Sequence, residues 1–452
     1  MRHSGGRHGG NAVEIFMGDR IGARRGRLRR RRSIRPVALV VAAVVVSGVL
    51  SGCSPDAGGG GHRKGGAFTV DVTERLDAAV ADAIGRSGAS GAVVGVWADG
   101  TGEWEAAPGT TTIGGTEAMS TEMRFRIGTN TTAMTCTVLL RLVEEGTVAL
   151  DDPVATYLGR LVGVGDITLG QLCQNTSSLA GQDTEQTAQF VNNPTRSWPA
   201  LELVSNGLSA PRTGAPGGTW VQSSTGIVLL GMALEQATGK DWRALYRQYI
   251  FNPLNLDDTS FPAADDLQIP GAHPQGYATQ RSTDGQPNCE IMLDDTELSI
   301  SMTGVAGGVV STLADMRTWA DALAVGSVLG PASVEVQWST VAQDANAPAW
   351  RRYGLGAEQL GPLRGRAGAI PGFISATLSD PAGGLTVVVA LNNSTAGGNF
   401  ALALARQLAA IATPATAAGT DREPLTLPWS EDAARADLEA GTVCPVPAAA
   451  AG

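Results

Sequence analysis

Residues 125–135 read Phe125-Arg126-Ile127-Gly128-Thr129-Asn130-Thr131-Thr132-Ala133-Met134-Thr135, and they lead into a helical pattern over 134–145. Thr129, Thr132 and Cys136 share one face of that helix. Outward from this stretch the middle of the chain stays mainly helical, over 169–173, 227–238 and 313–324. The ends differ. Residues 73–84 place Leu76, Val80 and Ile84 on one helical face, and 91–97 is a β-rich apolar run that turns back into Glu103-Trp104-Glu105. Towards the other end, 373–378 and 385–391 are strand-like runs around the turn Asp380-Pro381-Ala382-Gly383-Gly384, and a helix over 399–411 stops before Pro414. Strands at both ends with a helical insert between them predict an α/β (α+β) fold. One antiparallel sheet is built from the N- and C-terminal segments and flanked by helices, in a unit spanning 67–414.

With 17% charged and 43% hydrophobic residues, the 452-residue chain is far too apolar for a disordered protein, and it shows no internal repeat. Its charge is lopsided. Residues 1–52 hold eleven arginines against Glu14 and Asp19, whereas from residue 53 onward 22 basic residues face 41 acidic ones. An acidic body repels phosphate backbones, so no nucleic-acid partner is expected. The arginine-rich stretch 24–35 and the apolar run 37–46 read as a secretory signal peptide over 1–52, with an apolar segment too short to remain as a spanning helix. It ends in Leu50-Ser51-Gly52-Cys53, which resembles the bacterial lipobox. The expectation is an exported lipoprotein, lipidated at Cys53 and anchored to the outer face of the cytoplasmic membrane. Residues 53–66, with Gly58 to Gly61, form a flexible tether, and 415–452, rich in alanine, proline and acid, form an extension over the surface. Outside the cytoplasm Cys136, Cys173, Cys289 and Cys444 allow two disulfides in three pairings, with buried free thiols as the alternative.

Past the tether Lys240 is the only lysine and His273 the only histidine. That excludes a histidine-based zinc or two-metal site, so no metal is expected. There is neither a G-x-x-x-x-G-K-[ST] phosphate loop nor a G-x-S-x-G elbow, and no cofactor is expected. A Ser-His-Asp triad would have to use His273, which lies in the turn-like Gly271-Ala272-His273-Pro274 and reads as a surface residue.

The segment 125–135, with Leu142-Val143-Glu144-Glu145-Gly146 and Leu150-Asp151-Asp152-Pro153-Val154, resembles the serine β-lactamase and D-alanyl-D-alanine carboxypeptidase superfamily, in its class C and β-lactamase-related branch. Further matches follow in order at Ile167-Thr168-Leu169, Asn175-Thr176-Ser177, Thr225 to Gly231, Ala306 to Thr312 and Pro371-Gly372-Phe373. The resemblance implies a penicillin-binding-protein-like serine hydrolase fold and three catalytic motifs. Where the first, Ser-x-x-Lys, should lie, this chain has Thr129 and Thr132, and a threonine cannot take the lysine's part as base. Tyr-x-Asn falls on Gln222-Ser223-Ser224, so an amide replaces the phenol and Ser224 the asparagine. The five tyrosines, Tyr157, Tyr246, Tyr249, Tyr277 and Tyr353, all lie elsewhere in the sequence. His/Lys-x-Gly becomes Arg366-Ala367-Gly368, which keeps a positive charge and the glycine.

The expected protein is therefore a pseudoenzyme of this superfamily that binds a cell-wall (peptidoglycan) peptide, a small acyl ligand or an envelope protein. Thr129, Ser223 and Arg366 would be its ligand-binding residues, with Arg366 either clamping a carboxylate or standing exposed on its strand edge. Cys136 is expected to be buried or paired with Cys173. A weak ester or amide hydrolase acting through Thr129 or Ser223 is the enzymatic alternative, and a purely structural envelope protein is the third.

Overall fold

The computed structural model describes residues 66–99, 101–181, 184–343, 347–413 and 425–444. The signal peptide, Cys53 and all but the last residue of the tether lie outside the described residues, as do 414–424 and 445–452.

The N-terminal segment forms α1 (Val70–Ser87), β1 (Ala92–Ala98) and β2 (Gly102–Ala106). The stretch quoted first gives β3 (Phe125–Arg126), a single 3-10 turn (Gly128–Asn130) and α2 (Thr131–Glu144). The helical lobe follows with α3 (Val154–Tyr157), α4 (Leu169–Gln174), α5 (Thr184–Asn192), α6 (Ala200–Ser209), α7 (Ser224–Thr238), α8 (Trp242–Tyr246) and α9 (Asn252–Leu254). A hairpin of β4 (Tyr277–Arg281) and β5 (Pro287–Asp294) then leads to β6 (Val310–Ser311), α10 (Leu313–Val325) and α11 (Pro331–Gln337). The chain returns through β7 (Val341–Ala342), β8 (Arg351–Tyr353), β9 (Glu358–Leu360), β10 (Leu363–Ile370), β11 (Phe373–Ser379) and β12 (Leu385–Leu391). It closes with α12 (Gly398–Ala412) and α13 (Glu431–Ala440).

The main sheet is antiparallel in the order β2-β1-β12-β11-β10-β9-β8-β7, so the N-terminal hairpin completes a sheet begun by the C-terminal strands. Ala92 pairs with Leu391 and Ala98 with Leu385 across that junction. Every residue of β1, β11 and β12 is buried, because both faces of the sheet are covered. Alternation assigns the faces: Val94, Val96, Ile374 and Val389 pack among the residues of α1 and α12, whereas Val93, Phe373, Val388 and Ala390 join the helical lobe.

Residues 425–444, read from the sequence as an extension over the surface, carry α13 packed on α12 with Trp429, Ala434 and Leu438 buried. Arg406 lies between the rings of Trp350 and Trp429 and pairs with Asp437 at 2.7 Å. The disulfide Cys289–Cys444 ties the end of this segment to β5, and a second disulfide joins Cys136 of α2 to Cys173 of α4. Of the alternatives left open by the sequence, free thiols and the other two pairings are thereby excluded.

Candidate functional site

Gly128 sets the geometry. Its φ is +55°, and a Cβ there would stand about 2.5 Å from the backbone of Ala369, so only glycine lets the 3-10 turn lie against β10. Gly368 meets it from the other side, where a Cβ would come within 2.1 Å of the Ile127 carbonyl. Thr129 is thereby laid along the edge of β10 beyond the short β9, which pairs only with residues 363–365. Its hydroxyl donates to the Ala367 carbonyl at 3.2 Å and accepts from the Ala369 N–H at 3.3 Å. Asn130 anchors the turn to β11, donating to Ser375 Oγ at 2.8 Å and accepting from Thr377 Oγ1 at 3.3 Å.

Around Thr129 lies a cavity of about 590 Å³, whose lining includes Gln222, Trp220, Tyr353, Glu358 and Arg366. Arg366 is neither an exposed edge residue nor a free two-pronged clamp. It is 4% exposed, and its Nε donates to the Thr129 carbonyl at 2.6 Å. Its Nη1 donates to the Gly356 carbonyl at 3.2 Å and to the Tyr353 hydroxyl. All three acceptors are neutral, and no carboxylate forms an ion pair with this guanidinium among the described residues. Burial of an uncompensated charge is costly unless a ligand supplies the counter-charge.

Tyr353, far in the sequence from the Tyr-x-Asn position at 222–224, nevertheless lines the cavity. It enters from β8, is fully buried, and packs its ring 5.3 Å from Trp220. Burial raises its pKa, with the Arg366 charge opposing, so the phenol remains protonated. Glu358, also missed, accepts from Gln343 at 2.8 Å and from Arg351 Nε at 3.0 Å. Arg351 reaches on to Asn399 at 3.1 Å, where the N-terminus of α12 opens on the cavity. The available signal was the run Arg351-Arg352-Tyr353 in a chain with only five tyrosines.

The remaining predicted residues are not brought together at the cavity. Thr132 is buried and donates to the Ala306 carbonyl at 3.1 Å. Ser223, expected to touch ligand, is buried as the N-cap of α7: its Oγ accepts from the Gly226 N–H at 3.1 Å and donates to the Ala180 carbonyl at 2.8 Å. Ser224 is the first residue of that helix and lies off the cavity lining, while Gln222 lies on it. Cys136 is held in its disulfide. Lys240 is exposed and donates to Gln248 at 2.7 Å, and the ring of His273 contacts the Pro274 carbonyl, both away from this cavity. Among the described residues no cluster of three metal-ligating side chains occurs, and no helix is long and apolar enough to cross a membrane.

The comparisons with known proteins place this fold among hydrolases. The chain is 31% identical over 200 residues to the D-alanyl-D-alanine-carboxypeptidase/endopeptidase AmpH of Escherichia coli, covering 43% of this chain and 47% of that protein. The match thus spans about half the length of that relative. It is 28% identical over 344 residues to esterase EstB of Burkholderia gladioli, covering 70% of this chain and 83% of the esterase. A crystal structure of a D-stereospecific amidohydrolase from Streptomyces superposes with a TM-score of 0.63 at 26% identity, over 71% of this chain and 94% of that one. The sequence profile of the Beta-lactamase family matches residues 76–411, the span that holds the sheet, the Thr129 turn and the Arg366 strand, and the chain belongs to that family.

Proposed function

We propose that this protein is an envelope lipoprotein whose β-lactamase-like cleft binds an anionic ligand without turning it over, the C-terminal carboxylate of a cell-wall peptide being the ligand of choice. The observation that carries the reading is Arg366, a buried guanidinium lining the cavity with neutral partners only. The N-terminal end of α12, with Gly398 and Asn399 on the lining and no side-chain cap, adds positive potential. No base is hydrogen-bonded to Thr129: its hydroxyl's hydrogen bonds go to backbone, and the guanidinium beside it is no base. Losing a general base typically lowers a rate by ~10²- to 10⁴-fold.

The test is calorimetric titration of the ectodomain with a muropeptide ending in D-Ala-D-Ala and with its C-terminal amide. Tighter binding of the acid is expected. Equal affinity, or no binding of either, removes this ligand class and leaves a structural role ahead.

One observation favours a second reading, a weak hydrolase. The relatives include an esterase and an amidohydrolase. Intact-mass measurement after incubation with penicillin and with a fluorophosphonate decides between them. A stoichiometric adduct that disappears in Thr129→Ala makes the protein an enzyme. Export and anchoring are tested by Cys53→Ala or globomycin, which should leave the protein unprocessed or move it out of the detergent phase.

A further inference from the structure

The cleft around Thr129 is larger than a carboxylate needs, for about 590 Å³ is the size of a site that takes a whole small organic molecule. Arg366 offers one nitrogen to it. Nε and Nη1 are engaged by Thr129, Gly356 and Tyr353, whereas Nη2 makes no hydrogen bond among the described residues and is not sealed from solvent, so it faces the cavity that Arg366 lines. Beside it stands an aromatic wall. The Arg366 guanidinium carbon lies 5.4 Å from the centre of the Tyr353 ring, and that ring lies 5.3 Å from Trp220, tilted by 55°. Both rings line the cleft. Tyr353 is buried and held through its hydroxyl, but Trp220 is only partly covered, and its indole N–H is left without a hydrogen-bond partner. The backbone on either side of Trp220 is fixed. The Gly217 N–H donates to the Thr176 carbonyl at 2.7 Å, and the Val221 N–H to the Asn175 carbonyl at 2.8 Å. The chain thus holds a large ring at the cleft while the polar atom of that ring contributes no bond to the fold, which leaves its face as a packing surface. Ala347, Ala367 and Ala369 keep other parts of the lining small.

From this arrangement we infer that Trp220 is the specificity-determining residue of the cleft, and that the preferred ligand carries an aromatic side chain next to its carboxylate. The carboxylate takes the open Nη2 of Arg366 in a charge-assisted bond, and the side chain packs across Trp220 towards Tyr353, removing apolar surface of both partners from water. The inference rests on the anion-binding reading and adds a choice among carboxylates. A terminal residue with a phenyl group is favoured over one with a methyl group, because only the former reaches the ring.

The experiment is calorimetric titration of the full-length protein in detergent with N-acetyl-D-phenylalanine, N-acetyl-D-alanine and the C-terminal amide of each. The phenylalanine acid should bind about five- to thirtyfold more tightly than the alanine acid. Trp220→Ala should bring that ratio close to one while the preference for acid over amide persists, which an unfolded variant could not show. Trp220→Phe keeps a ring and should restore part of the ratio. Acids preferred over amides with equal affinity for the two side chains, or a side-chain ratio that survives Trp220→Ala, overturns this inference and leaves the anion-binding reading standing. Equal affinity for acids and amides, or no binding of any of the four, removes both.

Discussion

The centre of the sheet and the free edge of β10 are built from the same strand set and differ in what they bury. In β1, β11 and β12 every position is inside, the side chains are mostly aliphatic, and the backbone is satisfied by neighbouring strands. Along β10, beyond the reach of β9, the backbone instead meets the Thr129 hydroxyl, and the strand buries a charged arginine that donates to the phenol of Tyr353 on β8. The first region derives its stability from apolar area. The second places polar groups where each depends on a particular partner, so what it adds is geometric specificity rather than apolar burial.

This contrast is broken most forcefully from the apolar side. Phe400 is 2% exposed between α12 and the sheet, and Phe400→Ala should lower the unfolding free energy by about 3–5 kcal/mol in chemical denaturation, without altering ligand selectivity.

Near the β10–β11 turn, Asp295 tests a buried acid without a partner. It is 1% exposed, both carboxylate oxygens lack hydrogen bonds, and burial followed by the Asp294 charge pushes its pKa up to about 8. The folded state then holds a proton that the unfolded state releases, so this group's contribution to stability is intact below about pH 3.8 and falls with rising pH until about 8. Asp295→Asn should remove that loss, a gain of up to about 4 kcal/mol at pH 7, and flatten the pH profile of the melting temperature between those limits. An unchanged profile would show that the carboxyl is ionised and paired.

The Cys136–Cys173 disulfide, between α2 and α4, backs the loop at Gly356 that partners Arg366. The Cys173 carbonyl accepts the Gly356 N–H at 3.0 Å, and the Gly356 carbonyl in turn accepts from Arg366. Replacing both cysteines by alanine should cost roughly 2–4 kcal/mol of stability and also weaken binding in the cleft. Removing Cys289 and Cys444 should cost stability alone. Equal binding by both double variants would separate the disulfide from the site.

Arg366→Ala carries the smallest change in free energy and the most specific one. Loss of a charge-assisted bond of about 1.5–3 kcal/mol should weaken binding of a carboxylate ligand by roughly ten- to a hundredfold. Arg366→Lys should recover only part of it, because lysine keeps the charge but cannot serve Thr129, Gly356 and a ligand from one planar fork.

Much of this architecture was legible in the sequence. The runs 91–97, 373–378 and 385–391 became β1, β11 and β12 almost residue for residue, and the helices of 134–145, 227–238 and 313–324 appear within a few positions as α2, α7 and α10. Hydrophobic periodicity is a local property, and in elements of this length it outweighs everything else. The assignment of Thr129, Thr132, Gln222 and Arg366 to the family's motif positions is a reading of the sequence resemblance alone. What only the tertiary structure decided lies in residues far apart in the chain. The two- and three-residue strands β7 to β9 are too short to show a period, yet they carry Tyr353 and Glu358 into the cavity. Ser223 looked available for a ligand until α7 took its hydroxyl as a cap. Arg366 looked like an edge residue until the turn at Thr129 and the loop at Gly356 closed over it, because burial and pairing depend on where the rest of the chain returns.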